Sequence, residues 1–381
     1  MRKSARLLER YILQEEYAGY DPYDVLQSPL FKLPLLRTRH TIRLAAQQVM
    51  RRVPLNLRPL LRIPKGHNPV TYGLCLQAFS YLMTVYPERK EFYRQQTAGC
   101  IAQLKRLRSP GYSGACWGYD FDWESRYARL DAMTPTVVAT GIITNGLFEY
   151  YCACADEEAL DLCRSATRFV SNDLKRTYDG GEFCFSYSPL DTQVVLNATM
   201  KGARLLAQVF SVDRDPNLLK DASSTVRFVL RHQQRDGGWS YSLGDKRDWI
   251  DNFHTGYVLE CLHEYRKRTG DGSIDSHLAM GFDFYTSRFF DAAGRPKYYV
   301  DSVYPIDSTA AAQSIITLCR FNKVERAMHV ANWTISNMQA SDGHFFYQRR
   351  RVMVNKISYM RWSNAWMLAA LSYLLREHAL V

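Results

Sequence analysis

The chain has 381 residues, of which 46% are hydrophobic and 13% aromatic. It can therefore bury a large core, which excludes a disordered or fibrous protein. The net charge of +11 favours anionic partners, but no RNA- or DNA-binding motif is present, so we expect no nucleic acid. The sequence predicts no transmembrane segment, because no run of 18 apolar residues occurs, and it leaves peripheral membrane association open.

The cysteines indicate the redox compartment. There are nine, an odd number at irregular spacing, which is typical of reduced thiols in a cytoplasmic protein and not of a disulfide framework. Cys152 and Cys154 are close together, but no second pair or nearby His completes a metal site. We therefore predict a cytoplasmic protein with no metal and no cofactor.

Residues 1–66 lie outside the repeat that governs the rest of the chain. They predict two or three helices that form an N-terminal helical extension, with a turn at Gly19-Tyr-Asp-Pro-Tyr-Asp24. The second predicted domain covers residues 67–381.

From residue 67 onward the chain repeats one unit. A turn rich in glycine and aromatic residues precedes an apolar helix five times, and the turns begin at Gly114, Asp179, Asp236, Gly294 and Asp342. A sixth unit starts at Asn68-Pro-Val-Thr-Tyr-Gly73 without the glycine turn. The spacing of roughly 50 to 65 residues is that of two helices with their connections.

Each repeat unit is predicted to contain an apolar first helix followed by an amphipathic second helix. The second helices are expected at Glu91–Leu107, Glu157–Leu174, Pro216–His232, Asp275–Phe290 and Val324–Met338. A helix that is apolar all round must be buried on most sides, as in an inner ring. The sequence therefore predicts an all-α protein, an (α/α)6 toroid of six helical hairpins, with its cleft built from the loops at one end.

The loops ahead of the inner helices carry aromatic residues beside acids and arginines, which is the composition of a sugar-binding cleft. Aromatic rings stack on apolar sugar faces, and arginine pairs with carboxylates. The predicted substrate-binding residues are Trp117, Tyr119, Asp120, Arg126, Trp239, Tyr241, Tyr304, Arg361 and Trp362.

Five residues are candidates for catalysis. His254 stands at the start of an inner helix, next to Asp251, and can act as a general base. Tyr359 is the second candidate for proton transfer. Asp122 and Glu124, which share one aromatic loop, are candidates for orienting hydroxyls or for hydrolysis by paired carboxylates together with Asp251.

The repeat resembles the toroid superfamily that contains sugar epimerases, unsaturated-uronyl hydrolases, polysaccharide lyases, terpene cyclases and prenyltransferases. The Gly19–Asp24 turn, Tyr304-Pro-Ile-Asp307 and Arg361-Trp-Ser-Asn-Ala-Trp366 resemble a bacterial toroid family that occurs with surface-polysaccharide biosynthesis genes. Tyr359-Met-Arg361-Trp362 is similar to the end of the toroid in glucuronyl C5-epimerases. The Asp-x-Asp-Asp motif of class II terpene cyclases is absent, as is a Cys partner for a zinc-binding His254.

Three functions follow as hypotheses. The first is an enzyme acting on an acidic oligo- or polysaccharide, or its precursor, in bacterial surface-polysaccharide biosynthesis, as a uronate C5 epimerase or lyase. The second is a glycoside hydrolase with paired carboxylates. The third is a non-catalytic glycan-binding or scaffolding subunit. The sequence does not predict the oligomeric state.

Overall fold

Helices dominate the computed structural model, which describes residues 1–127 and 129–379. The helices are α1 (Arg2–Gln14), α2 (Pro34–Thr38), α3 (His40–Arg52), α4 (Pro69–Val85), α5 (Lys90–Arg106), α6 (Val137–Cys154), α7 (Glu157–Arg168), α8 (Leu196–Asp213), α9 (Pro216–Arg231), α10 (Asn252–Thr269), α11 (Asp275–Arg288), α12 (Ser308–Arg320), α13 (Val324–Met338) and α14 (Trp366–Ala379). In this part of the chain no helix is both long and apolar enough to cross a membrane.

Six helices form a closed inner ring. Helices α4, α6, α8, α10, α12 and α14 pack against one another in that order, and α14 returns to pack against α4. Helices α5, α7, α9, α11 and α13 each pack outside the inner helix that precedes them. The predicted all-α (α/α)6 toroid is confirmed, since inner and outer helices alternate along the chain.

The inner helices pack closely because they carry small residues at their contacts. A side chain at Gly146 of α6 would overlap the carbonyl oxygen of Gly73 in α4, and one at Gly73 would lie 2.7 Å from the Cα atom of Ile143. In α12 every residue is buried, whereas in α7 the buried residues alternate with exposed acids and arginines. This difference follows from the two positions, since an inner helix has neighbours on every side.

Helix α1 lies in the outer layer, beside the last inner helix. It packs on α14, and its Ser4 and Tyr11 bond to Gln339 (2.5 Å) and to Ser358 (2.8 Å). The sixth outer position is thus filled by the start of the chain, which joins the two chain ends around the ring. The domain boundary at residue 66 remains a prediction. Helix α1 precedes that boundary in sequence but packs on the toroid in the structure.

The rest of the N-terminal extension crosses the end of the ring where the inner helices begin. It has a small core of its own, made of Val25, Leu26, Met50 and Ile63. Two buried ion pairs connect the extension to the ring, Arg43 to Glu124 (2.6 Å) and Asp21 to Arg361 (2.6 Å).

Short strands join the loops at this end of the ring. The strands are β1 (Trp123–Glu124), β2 (Arg129–Leu130), β3 (Arg176–Asp179), β4 (Glu182–Phe185), β5 (Val194–Val195), β6 (Ser242–Leu243), β7 (Ile306–Asp307), β8 (Phe346–Arg349) and β9 (Val354–Ser358). All pairings are antiparallel: β1 with β2, β3 with β4, β5 with β6, and β7, β8 and β9 in one sheet. The pairings of β5 with β6 and of β7 with β8 connect loops from neighbouring hairpins.

Buried ion pairs fill the ring nearer the carboxyl ends of the inner helices. Arg204 of α8 contacts Glu260 of α10 (3.3 Å), and Arg320 of α12 contacts Glu149 of α6. Glu264 lies one turn beyond Glu260 and bonds Arg268 (2.6 Å). Side chains thus occupy the ring axis there, which leaves the opposite end, under the loops, as the place for a cavity.

We predict that Asp21→Ala lowers the free energy of unfolding by about 3–5 kcal/mol, because it leaves the buried Arg361 guanidinium without its partner. Chemical denaturation measures the change. Glu91→Ala is the control, because Glu91 contacts Arg94 at 4.0 Å on the surface and such a pair contributes less than about 1 kcal/mol. Equal losses of unfolding free energy in the two variants would show that the buried Asp21–Arg361 pair contributes no more to stability than a surface pair.

Candidate functional site

One large cavity of about 840 Å³ lies at the loop end of the ring. Five of the six inner helices or the loops ahead of them contribute to its wall, and α3 of the N-terminal extension contributes Leu44, Gln48, Arg51 and Arg52. The cavity is therefore assembled from distant parts of the sequence, which the closed ring brings to a common centre.

Aromatic residues are the largest group in the wall. Fifteen of the lining residues are aromatic, namely Tyr23, Tyr119, Phe121, Trp123, Tyr127, Tyr187, Tyr241, Trp249, Phe253, Tyr257, Tyr298, Tyr299, Tyr347, Trp362 and Trp366. Several stack in pairs, such as Tyr241 with Trp249, whose ring centroids are 4.9 Å apart. A wall of this kind offers flat apolar surface to a sugar ring and hydroxyls to its polar edge.

The cavity also carries excess positive charge. Seven of the lining residues are cationic: Arg51, Arg52, Arg126, Lys246, Arg247, Arg350 and Arg361. Only two lining residues in the described part of the chain are carboxylates, Glu124 and Asp251. Cations gathered in a cleft with low-dielectric walls attract an anionic ligand.

Asp251 and His254 form a bonded pair at the start of α10. The Asp251 carboxylate caps the helix by accepting the backbone N–H of His254 at 3.0 Å through Oδ1. Its Oδ2 lies 2.7 Å from Nδ1 of His254 and 3.1 Å from Nε1 of Trp249. The side chain of Asp251 is 1% exposed and that of His254 is 21% exposed, so the imidazole reaches the cavity while the carboxylate is held behind it.

The contact with Asp251 decides which nitrogen of the neutral imidazole carries the hydrogen. An ionised carboxylate can only accept hydrogen bonds, so Nδ1 of His254 carries the proton. The lone pair is then on Nε2, where the ring can act as a general base. The rings of Tyr241 and Phe253 lie 4.6 Å and 4.0 Å from the imidazole, centroid to centroid, which holds its orientation.

Arg361 and Tyr119 lie together in the wall. The guanidinium carbon of Arg361 is 4.8 Å from the centre of the Tyr119 ring and 5.2 Å from that of Trp362. Nε of Arg361 donates to Asp21 at 2.6 Å. Burial raises the pKa of Tyr119, and the charge of Arg361 opposes that rise.

Not all of the residues predicted from the sequence reach the cavity. Tyr119, Glu124, Arg126, Tyr241, Asp251, His254, Arg361 and Trp362 line it. Trp117, Asp120, Asp122, Trp239, Tyr304 and Tyr359 are not among its lining residues.

The two tryptophans that follow the glycine turns support the outer helices. Nε1 of Trp117 donates to the carbonyl of Leu104 at 2.8 Å, and Nε1 of Trp239 donates to that of Val229 at 3.1 Å. Both acceptors lie in the last turn of an outer helix, where carbonyl groups lack partners within the helix. These bonds support a structural role for Trp117 and Trp239, and their predicted role in binding stays an untested prediction.

Tyr359 is buried beside the N-terminal extension. Its side chain packs with Tyr347 and Ile357, and the Arg58 guanidinium carbon lies 4.8 Å from its ring centre. Tyr359 is not among the residues that line the cavity, so its transfer of a proton to substrate stays a prediction that this position does not support. Tyr304 packs against the main core, and only the neighbouring Pro305 lines the cavity.

The acids of the Asp120–Arg126 loop are engaged by the N-terminal half of the chain. Glu124 is buried and contacts Arg43 (2.6 Å) and His40 (2.7 Å), and Asp122 contacts Arg43 at 3.3 Å. Asp120 accepts a bond from Asn68 at 2.7 Å. Burial, with a smaller contribution from nearby Asp21, raises the pKa of Asp120 to about 6.

Several lining residues were not predicted from the sequence. Lys246, Arg247 and Trp249 stand in the loop between the third glycine turn and α10, so their position ahead of an inner helix was an available signal. Arg51 and Arg52 gave no such signal, because they belong to the N-terminal extension and reach the cavity only through the tertiary fold.

No family model matches the chain, and no curated protein matches it. Solved structures do match. The chain is an (α/α)6 toroid. Cellobiose 2-epimerase from Bacillus thermoamylovorans B4167 superposes with a TM-score of 0.64 and 13% identity, over 82% of this chain and 88% of that one.

Two further structures share the fold. A GH76 α-mannanase from Bacteroides thetaiotaomicron has a TM-score of 0.61 and 12% identity, over 81% of this chain and 87% of the mannanase. A D-mannose isomerase has a TM-score of 0.57 and 12% identity, over 81% and 86% of the two chains. At such identities the likeness describes the fold.

We predict that Trp117→Phe lowers the free energy of unfolding by about 1–3 kcal/mol, because the Leu104 carbonyl loses its buried donor, and leaves saccharide binding unchanged. Trp249→Phe is the matched variant. Trp249 lines the cavity and is 40% exposed, so its replacement should weaken binding. The effect on stability should be smaller, because Oδ2 of Asp251, which loses Nε1 of Trp249, keeps Nδ1 of His254. Denaturation and titration calorimetry with a uronate oligosaccharide measure both, and weaker binding by the Trp117 variant would contradict its structural role.

Proposed function

We propose that the cavity binds an acidic saccharide and that His254 removes the proton at C5 of a uronic acid residue, as in a uronate epimerase or lyase. The bonded Asp251–His254 pair carries this proposal, because it leaves the lone pair on Nε2 of a side chain that lines a cavity rich in aromatic rings and cations. The resemblance of three motifs to a bacterial toroid family adds surface-polysaccharide biosynthesis as the setting.

The reaction begins with proton transfer. Nε2 of His254 takes the C5 proton, and the electron pair left behind is delocalised into the adjoining carboxylate. Asp251 stabilises the imidazolium that forms, and the cavity cations stabilise the charge that grows on the carboxylate. An epimerase returns a proton to the opposite face of C5. A lyase instead forms the C4–C5 double bond and breaks the C4–O bond, and the departing oxygen takes a proton.

Tyr241 and Tyr257 are the proposed proton donors in place of Tyr359. Both line the cavity, and their ring centroids lie 4.6 Å and 6.0 Å from that of His254. Burial raises the pKa of both hydroxyls, so each is protonated at neutral pH and can donate a proton.

The fold is shared with a cellobiose 2-epimerase, a D-mannose isomerase and a GH76 α-mannanase. The cavity of this chain favours the chemistry of an epimerase or an isomerase over that of a glycoside hydrolase. Hydrolysis needs one acidic and one basic carboxyl group on either side of the bond. Of the two lining carboxylates, Glu124 is bonded to Arg43 and His40, and Asp251 is bonded to His254 and Trp249.

The first test is hydrogen exchange at C5. Incubation with uronate oligosaccharides in D2O should introduce deuterium at C5, measured by mass spectrometry and NMR. His254→Ala should slow the exchange by about 10²- to 10⁴-fold through loss of the base. Asp251→Asn should cause a smaller loss, since an amide still caps α10 but does not hold the imidazolium charge.

His344→Ala is the control for the exchange experiment. Nδ1 of His344 lies 2.7 Å from Asp342, the same separation as in the Asp251–His254 pair, but His344 does not line the cavity. Its variant and Tyr359→Phe should keep the full rate. Cleavage to reducing ends without deuterium uptake would assign the chain to the hydrolases, and saturable binding with neither change would assign it to glycan-binding subunits.

Substrate charge provides the second test. Arg350 lines the cavity, and Arg350→Ala should raise KM for a uronate oligosaccharide by about tenfold, the loss expected for one charge-assisted contact. The same variant should bind the carboxyl-reduced, neutral oligosaccharide as the unmodified protein does. Arg235→Ala, on the outer surface, is the control. An equal change for acidic and neutral ligands would contradict selection by charge.

A further inference from the structure

The N-terminal extension has an unusually apolar surface. Thirteen large hydrophobic residues are markedly exposed in the described part of the chain, and seven of them fall between residues 30 and 60. These seven are Leu30, Leu33, Leu35, Ile42, Val49, Leu55 and Leu60. They belong to one small substructure, since α2 and α3 pack together around the core that contains Met50. Exposed apolar side chains gathered on one substructure indicate an interaction site.

The same segment carries only positive charge. Between Asp24 and Glu88 the sequence has nine Lys or Arg residues and no Asp or Glu. Six of the cations are exposed: Lys32, Arg37, Arg39, Arg52, Arg62 and Lys65. Lys65 pairs with Glu15, the residue that follows α1, and the segment supplies no acid of its own to offset the other five.

Helix α3 presents three different faces. Arg43, Gln47 and Met50 are buried against the protein. Ile42 and Val49, which are seven residues apart and so lie on one side of the helix, are exposed. Leu44, Gln48 and Arg51 lie on a third side of the helix, between the buried side and the exposed apolar side, and line the cavity. The exposed apolar side is therefore next to the wall of the cavity.

We propose that the surface formed by residues 30–62 docks on an anionic lipid bilayer. Leucine, isoleucine and valine side chains enter the boundary between headgroups and acyl chains, and the flanking arginines and lysines contact lipid phosphates. A second copy of the chain fits this surface poorly, because self-association would bring two acid-free, positively charged patches together.

Docking of this kind brings the cavity close to the bilayer and is not a step of the reaction. Since α3 provides both the apolar side and a wall of the cavity, a docked molecule holds the rim of its cavity beside the bilayer. Acidic saccharides attached to a lipid would then be within reach. The docking itself depends only on the surface, so it stands whether or not His254 acts at C5.

Vesicle flotation tests the proposal with the full chain. The protein should float with vesicles of phosphatidylcholine containing about 30% phosphatidylglycerol and should remain unbound with phosphatidylcholine alone. The double variant Ile42→Ser/Val49→Ser, which removes apolar contact, and the double variant Arg37→Glu/Arg39→Glu, which reverses charge, should each weaken binding at least about tenfold. A higher salt concentration should also weaken vesicle binding by the unmodified protein, because salt screens its attraction to anionic lipid.

Matched variants elsewhere control for general effects. Leu190→Ser/Val352→Ser removes two exposed apolar side chains, which are 62% and 92% exposed, and Arg235→Glu/Arg288→Glu reverses two exposed cations. Both should bind vesicles as the unmodified protein does, and circular dichroism checks that every variant is folded. Equal binding to neutral vesicles, equal losses in the control variants, or a dimer abolished by Ile42→Ser/Val49→Ser would each overturn the proposal.

Discussion

Closure of the inner ring is the constraint on which the remaining structure depends. The inner helices are buried on nearly every side, so each requires an inner neighbour on both flanks and an outer helix behind it. Contact between α14 and α4 satisfies this requirement for the first and last members. Helix α1 then covers α14 from outside, which makes the start of the chain part of the structure that holds its end.

Closure also explains where the chemistry is concentrated. All six inner helices begin at the same end of the ring, so the loops ahead of them converge there. Ion pairs such as Arg204–Glu260 fill the axis further along, and the N-terminal extension narrows the open end. The resulting cavity has aromatic and cationic walls. Within it, Asp251 has two roles, because the carboxylate that caps α10 also orients the imidazole one turn away.

The N-terminal extension connects this cavity to the outside of the molecule. Buried pairs join it to the ring, and in both Asp21–Arg361 and Arg43–Glu124 the ring residue lines the cavity. Its other surface is apolar and basic. A single short helix, α3, thereby contributes to the small core of the extension, to the wall of the cavity and to the exposed patch, and each role uses a different side of the helix.

The sequence by itself determined the repeat, the alternation of inner and outer helices and the place of His254 beside Asp251 at a helix start. These features are local: apolar periodicity, glycine turns and capping residues act over a few positions along the chain. It did not distinguish Trp117 and Trp239 from Trp249, or Tyr359 from Tyr257, because each of these is an aromatic residue in an inner helix or in the segment ahead of one. Only the tertiary structure decided which of them are buried behind the cavity and which face it. Packing against residues far away in sequence, such as Arg58 over Tyr359 or Arg43 on Glu124, settles that choice, and no local pattern encodes those contacts.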